Sequence, residues 1–423
     1  MLKSQLQSRA VEGLVRVGPG LLELRRWLPG RRGTALFCDP LDAHSWLLAA
    51  ALWRERAALP PDFELHWVQA PERALDPEPE LRVRHASRDV RLLADTYELG
   101  LEGGLRELSP EAALAAAASS LSGASGWARL EAVAKLASEV FVADEPPVGL
   151  DYSLASERLR AEMTQGSAVL RRLGHYQGAM LYHRGAWFWG VDRLPLWLAE
   201  VSGDGTLGDR SSGDGARVFR ARPTTGAARA ASEGARRLSL YFSFRSQYSY
   251  LALERAAALA ERNGVELELR PVLPMVMRGL VVPPLKKFYL LFDAAREAKR
   301  LGIPFGRICD PVGRGAERCL AAFSATSGAQ GVAFASRAMR AIWREGVDVA
   351  SDPGLRGVCE AVGLAWTRVQ AAIADERWRA LAAVNREQLT ALGLWGVPSF
   401  EFRGQVVWGQ DRLRLLERLM QLR

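Results

Sequence analysis

The chain repeats itself, and this limits its folds more than any other feature. Arg184-Gly-Ala-Trp-Phe-Trp-Gly-Val-Asp-Arg-Leu194 and Arg403-Gly-Gln-Val-Val-Trp-Gly-Gln-Asp-Arg-Leu413 agree at seven of eleven positions without a gap. In the same register Leu173-Gly174 aligns with Leu392-Gly393. Nearer the start of each half, Phe37 to Leu47 aligns more loosely with Tyr241 to Leu251 through an aromatic and a Ser-aromatic-Leu pattern. Matches kept in order and at similar separation predict a tandem duplication of one supersecondary plan.

A length of 423 residues fits two such copies, each large enough to bury its own core. Residues 202–236 are rich in Gly, Ser, Asp, Thr and Arg and poor in large apolar side chains, the composition of a flexible linker. The expected organisation is therefore an N-terminal helical extension (1–32), a first domain (33–201), a linker (202–236) and a second domain (237–423).

Composition excludes several function classes. The net charge of +8 comes almost wholly from Arg interleaved with acids, and Lys occurs only at positions 3, 135, 286, 287 and 299, so no basic stripe for nucleic acid is expected. No run of about 18 apolar residues predicts a membrane span. Arg9, Arg16, Arg25 and Arg26 interrupt the first thirty residues, which argues against a secretory signal and for a cytoplasmic protein. Cys38, Cys309, Cys319 and Cys359 form neither a C-x-x-C pair nor a metal-ligand spacing. They read as reduced, half-buried thiols, with no metal site.

In the second half Leu238, Leu240, Phe242 and Phe244 alternate with Ser239, Tyr241 and Ser243, the period of a strand. A loop, Arg245 to Tyr248, leads to a helix over Ser249 to Arg262 that Asn263-Gly264 stops. Val265, Leu267 and Leu269 alternate again, which predicts a right-handed parallel strand-helix-strand unit. Helical signals dominate from Lys286 to about Leu392. Ser399 to Phe402 and Gln405 to Trp408 then read as two strands around Arg403-Gly404, followed by a closing helix from Arg412 with Asp411 near its cap. This order gives the expected fold class: α/β, two thioredoxin-like domains, each with a helical insertion. The first half follows the plan through Thr34 to Phe37, Ser45 to Ala57, Phe63 to Val68 and Tyr182 to Trp189.

In thioredoxin-like folds the reactive group sits after the first strand, where a helix begins and its free N–H groups favour an anion. Here that loop is Arg245-Ser246-Gln247-Tyr248-Ser249, so no cysteine of this chain can exchange disulfides there. A serine hydroxyl can instead donate to a thiolate supplied by a cofactor, or it can cap the helix. Ser249 is the better cap on this reading, and Ser246 the better functional hydroxyl. In Gly396-Val397-Pro398-Ser399-Phe400 the proline opens a strand. It is either a plain strand start or a cis Val397-Pro398 bond that turns the Val397 backbone toward the active loop. Asp411 can cap the last helix or bind a ligand ammonium. Lys286 and Tyr289 form a fourth, weaker candidate set.

These residues resemble the 2-hydroxychromene-2-carboxylate isomerases and kappa-class glutathione transferases of the DsbA-like thioredoxin group. The resemblance covers about residues 237–423 and rests on S-Q-Y-S-Y-L-A (246–252), K-x-x-Y-x-x-x-D (286–293), G-V-P-S-F (396–400) and W-G-Q-D-R-L (408–413). It implies glutathione as cofactor, with Ser246 holding its sulfur. Val397 and cis Pro398 would clamp the cysteinyl part, Gln410 and Asp411 the γ-glutamyl end, and Lys286 the glycyl carboxylate. The chain departs from the family in having Gln247 where proline usually follows the serine and Ser243 where the first strand often carries an acid. No clear counterpart of the family's loop asparagine occurs in Arg278 to Pro284.

The first half resembles a degenerate copy. Asp42 falls at the position of Ser246 and Ala179 at that of Pro398, and an acid at the sulfur position would repel a thiolate. It is expected to bind no glutathione and to serve as a packing or homodimer-forming partner, while Asp42 and His44 could hold a different ligand. The implied function is a glutathione-dependent isomerase or transferase acting on an electrophilic aromatic or unsaturated carbonyl compound. The alternative is a non-catalytic thioredoxin-like binding module, or a DsbA-like protein without its redox cysteines.

Overall fold

The computed structural model describes residues 33–99, 101, 105–122, 126–141, 153–202, 236–279 and 284–421. The expected N-terminal extension, and all but the end residues of the expected linker, lie outside the described residues. The rest form two compact units.

The first unit builds a four-stranded sheet from β1 (Thr34–Cys38), β2 (Glu64–Trp67), β3 (Met180–His183) and β4 (Ala186–Trp189), in the order β2-β1-β3-β4. β1 runs parallel to β2, with Leu36 opposite Leu65, and antiparallel to β3, with Leu36 opposite Leu181. The parallel pair needs a crossover, and α1 (Ala43–Arg54) supplies it. α2 (Pro79–Thr96), α3 (Pro110–Ser120), α4 (Gly126–Leu136) and α5 (Glu157–Leu173) form the helical insertion, and α6 (Leu194–Val201) closes the unit. Every residue of β1 is buried, because helices cover the sheet rather than leave one face wet. Trp46 of α1 and Trp67 of β2 meet in this core with ring centroids 5.3 Å apart. Their indole N–H groups are satisfied by Pro40 O and Ser120 Oγ, both at 2.9 Å.

The second unit repeats the sheet order with β5 (Arg237–Phe242), β6 (Glu266–Pro271), β7 (Ser399–Phe402) and β8 (Gln405–Trp408), as β6-β5-β7-β8. β5 is parallel to β6 and antiparallel to β7. The crossover helix is α7 (Gln247–Arg262). The helical block is α8 (Pro284–Arg300), α9 (Arg314–Ser324), α10 (Ala329–Arg340), α11 (Asp352–Glu360), α12 (Trp366–Asp375) and α13 (Trp378–Ala391). The chain ends in α14 (Leu413–Gln421), behind a 3₁₀ turn at Gln410–Arg412 that replaces the predicted helix start at Arg412. The start of α8, as far as Tyr289, groups with the first unit and the remainder with the second.

The repeated string is explained by backbone demand. Arg184-Gly185 and Arg403-Gly404 all have φ between 46° and 91°, as a two-residue hairpin turn of the primed type requires. Gly174 and Gly393 follow α5 and α13 at φ 94° and 80°, the left-handed stop that glycine adopts at least cost. Gly190 and Gly409 also have positive φ, at the exit from β4 and β8.

Three expectations need correction. The crossover helix begins at Gln247, and its cap is Ser246, not Ser249: Ser246 Oγ accepts the Ser249 N–H at 3.1 Å. Ser249 is fully buried, and its hydroxyl accepts the Ser243 N–H instead. The four cysteines are buried free thiols rather than half-buried ones. The paired strands expected over Tyr182 to Trp189 begin two residues earlier, at Met180, and fold back at Arg184-Gly185. Among the described residues no helix is long and apolar enough to cross a membrane, and no cluster of His, Cys, Asp or Glu could hold a metal ion.

Candidate functional site

Ser246 stands where β5 hands the chain to α7. Its extended backbone, φ −101° and ψ 113°, lets the hydroxyl reach back over the first helical turn. Besides accepting from Ser249 N, Ser246 Oγ lies 3.4 Å from Val397 O and donates toward it. The Val397-Pro398 bond is cis. The two features that the sequence places about 150 residues apart therefore meet at one point. A 16-residue helix directs the positive end of its dipole at that point.

The proline loop is held by close packing. Gly396 has no room for a side chain, since a Cβ there would come within 2.4 Å of the Trp408 ring. Trp408 in turn packs on Trp395 at 4.8 Å between centroids. Ser399 Oγ donates to Gly396 O at 2.8 Å, and Gly409 N donates to Pro398 O at 2.9 Å, so the loop, β7 and the turn after β8 form one piece.

Gln410 and Asp411 follow at once. Gln410 is only 1% exposed, and its amide is used on both sides. Nε2 donates to Glu297 Oε2 at 2.8 Å and to Asp411 Oδ1, while Oε1 accepts from Arg255. Glu297 is fully buried and takes a bidentate pair from Arg300 at 3.0 and 2.8 Å. Burial pulls Arg255 below its ordinary value against the opposing charge of Asp411. Gln410 is thus a buried organiser that fixes the neighbouring Asp411 carboxylate.

Sequence reasoning missed the role of α8 beneath this site. Tyr248 OH donates to Asp293 Oδ2 at 2.7 Å, and Arg296 pairs with the same carboxylate at 3.1 Å. Asp293 and Glu297 are one helical turn apart and both 0% exposed. The available signal was a pair of acids at i, i+4, each with an Arg three residues on, which reads by default as a solvated helix face.

Lys286 takes a different place. It belongs to the first unit, where Nζ donates to Leu75 O at 3.2 Å and lies 5.8 Å from the centroid of the Tyr176 ring. Burial holds its pKa below the ordinary lysine value, opposed by the charge of Asp76.

The same corner of the first unit is occupied by charge. Asp42 caps α1 by accepting the His44 N–H at 3.2 Å, and the His44 ring joins Asp42 at 3.6 Å to Asp89 at 2.9 Å. Burial alone would lower the His44 pKa, but the two carboxylates raise it to about 9. Burial likewise opposes ionisation of Asp42, yet His44 and Arg82 hold its carboxyl below the usual range. Ala179, opposite Pro398 in the alignment, has φ 53° and donates its N–H to Ser45 Oγ at 3.0 Å.

Known proteins match the second half of the chain. The family model for a DsbA-like thioredoxin domain matches residues 237–421. A 2-hydroxychromene-2-carboxylate isomerase of Sphingobium xenophagum is 30% identical over 192 residues, 43% of this chain and 95% of the relative. One from Pseudomonas putida is 30% identical over 202 residues, 43% of this chain and 93% of the relative. A solved 2-hydroxychromene-2-carboxylate isomerase structure matches at 24% identity and a TM-score of 0.39, covering 44% of this chain and 94% of that one. Through its second half the chain belongs to the DsbA-like thioredoxin family, alongside the 2-hydroxychromene-2-carboxylate isomerases.

Proposed function

We propose that the second unit binds glutathione with its sulfur at Ser246 and uses it to isomerise or conjugate an electrophilic aromatic or unsaturated carbonyl compound. The observation that carries this reading is the Ser246 hydroxyl, at the head of α7 and 3.4 Å from Val397 O beside Pro398. A partly exposed O–H with a helix N-terminus behind it fits an anion of low charge density, and no cysteine occupies the position. The relatives, both 2-hydroxychromene-2-carboxylate isomerases by name, support an isomerisation. Glutathione would supply a thiolate that adds to a conjugated double bond and is eliminated unchanged after rotation.

The chain's own residues bind and orient. Ser246 turns its proton from Val397 O to the sulfur, stabilising the anion without taking up its charge. Lowering a thiol pKa by one unit takes about 1.4 kcal/mol, which one hydroxyl and a helix end can supply. Val397 and Pro398 offer backbone to the cysteinyl part, and Asp411, fixed by Gln410, offers a carboxylate to the γ-glutamyl ammonium. Lys286 takes no part in this reading, because its ammonium is engaged by Leu75 in the first unit. The arrangement works by holding two reactants in one geometry rather than by proton transfer.

Calorimetric titration with glutathione should show binding at millimolar concentration or below, weakened about tenfold or more in Asp411→Ala. Turnover of a conjugated ketone should fall at least tenfold in Ser246→Ala while glutathione binding falls less. Absence of binding at millimolar glutathione would remove the proposal.

A further inference from the structure

The two sheets end differently at their parallel edge. In the first unit that edge, β2, is covered. The carbonyls facing away from β1 are met by the helical insertion: Arg129 of α4 donates to Leu65 O at 3.4 Å, and a Cβ added to Gly126 of α4 or Gly166 of α5 would fall 2.1 Å from Phe63 O or Trp67 O. Leu65 and Trp67 are only 2% and 0% exposed.

In the second unit the corresponding strand, β6, is also the last in its sheet, and it is open. Glu266 N and Val272 N donate to Arg236 O and Phe242 O on the β5 side, each at 2.8 Å. In the evenly spaced parallel ladder Glu268 and Arg270 therefore also turn to β5, while Leu267 and Leu269 turn their N–H and C=O outward. Among the described residues nothing bonds to those outward groups, and both leucines are half-exposed. The far end of the edge is closed, because Asn385 Nδ2 of α13 donates to Pro271 O at 2.9 Å and a proline has no N–H.

An open edge is a template for another strand, and charges along it usually keep strands away. Here the charges select one partner. We propose that β6 is an interface for a second copy of this chain, paired antiparallel about Glu268 so that two second-unit sheets join edge to edge. That register sets Leu267 opposite the partner's Leu269, brings the outward groups together in four hydrogen bonds, and places Glu266 against the partner's Arg270 on the other face of the sheet. Glu268 meets its own copy at the axis, but its charge is already offset by Arg270 at 3.0 and 2.8 Å, with Ser239 Oγ donating at 3.0 Å. The neighbouring registers fail. Centring on Leu267 opposes Glu266 to Glu268 and needs the Val265 N–H, which Ala260 O holds at 2.9 Å; centring on Leu269 brings in Pro271, whose carbonyl is taken. The pairing occupies both copies' edges, so it closes at a dimer, and the contact is short, so the dimer is weak. It is independent of the glutathione reading.

Sedimentation of the whole chain over a wide concentration range should show a reversible monomer–dimer equilibrium. Leu267→Pro spares the ladder to β5 and removes two of the four bonds, so it should weaken the dimer about tenfold or more. Disulfide trapping reads the register, since the four native cysteines are buried. In the proposed pairing Glu268 lies about 4.5 Å from its copy between Cα atoms, whereas Glu266 faces Arg270. Under mild oxidation Glu268→Cys should therefore link into a dimer at least fivefold faster than Glu266→Cys, although the Glu266 side chain is the more exposed, at 61% against 29%. Random collision would reverse that order. A chain that stays monomeric at every concentration leaves the edge to some other extended segment and overturns the proposal, as would an unweakened dimer in Leu267→Pro or faster linking at position 266. Should Leu267→Pro fail to fold, the two cysteine variants still decide.

Discussion

The two halves put different chemistry on one frame. Each has a β2-β1-β3-β4 type of sheet, a crossover helix capped by the residue at its head, and a hairpin turned by Arg-Gly. In the second half the cap is Ser246, whose hydroxyl also reaches Val397 O. In the first it is Asp42, whose carboxylate is neutralised by His44 and Arg82. Two residues along each helix, His44 and Tyr248 both anchor on a buried aspartate of a following helix, Asp89 and Asp293. The proline position differs in the same sense: Ala179 carries an N–H that must be satisfied, and Ser45 satisfies it inside the protein. At these positions the first half answers its polar groups internally, and the second leaves a hydroxyl partly exposed.

The largest expected effect breaks that internal answer. His44→Ala leaves Asp42 and Asp89 buried without their shared cation and should destabilise the first unit by about 3–5 kcal/mol. Amide exchange on β1 and α1 should report it, with exchange on β5 and α7 unchanged; equal loosening of both regions would contradict the separation of the two sites.

Raising pH attacks the same network more gently. A His44 pKa raised to about 9 means that its stabilisation is complete below the ordinary value near 6.5 and is lost as pH rises through 9. Between pH 6 and pH 10 the first unit should lose up to about 3 kcal/mol, read from exchange corrected for the intrinsic rate. The lowered Asp42 works at the other end: its contribution is present above about pH 4 and lost as pH falls further. A flat profile between pH 6 and 10 would show that His44 is not held as a cation.

A smaller change exchanges the caps. Asp42→Ser keeps a capping oxygen but removes the charge facing His44, and should cost about 1.5–3 kcal/mol in urea unfolding. It should gain no glutathione binding, since Ala179 remains. The reciprocal Ser246→Asp also keeps the cap, so stability should move by less than about 0.5 kcal/mol. Glutathione affinity should nevertheless fall about tenfold, because a carboxylate at the sulfur position repels the thiolate. A stability loss with intact binding would make Ser246 a structural cap alone.

Much of this comparison was legible in the sequence. The repeated string marked the hairpin and the glycines around it, because positive φ leaves few choices of residue. Alternating Leu238, Leu240 and Phe242 marked β5, although burial of both its faces depends on helices far along the chain. Local reading went astray where the outcome depends on distant atoms. Ser246 and Ser249 are equal as capping residues by type, and only the approach of Ser243 N to the Ser249 hydroxyl takes the latter out of competition. Likewise nothing local to Asp293 and Glu297 shows that helix α8 is buried on that face. Lys286 was read from a motif spacing, whereas its carbonyl partner, Leu75, lies 211 residues away.

The most direct test of the account is the thiol pKa of glutathione bound to the whole protein, followed by thiolate absorbance across pH in the unaltered chain and in Ser246→Asp. The account predicts a pKa at least one unit below that of free glutathione in the unaltered chain, and no such lowering in the variant. The same pKa in both, or none displaced from the free value, would contradict the placement of a sulfur anion beside Ser246.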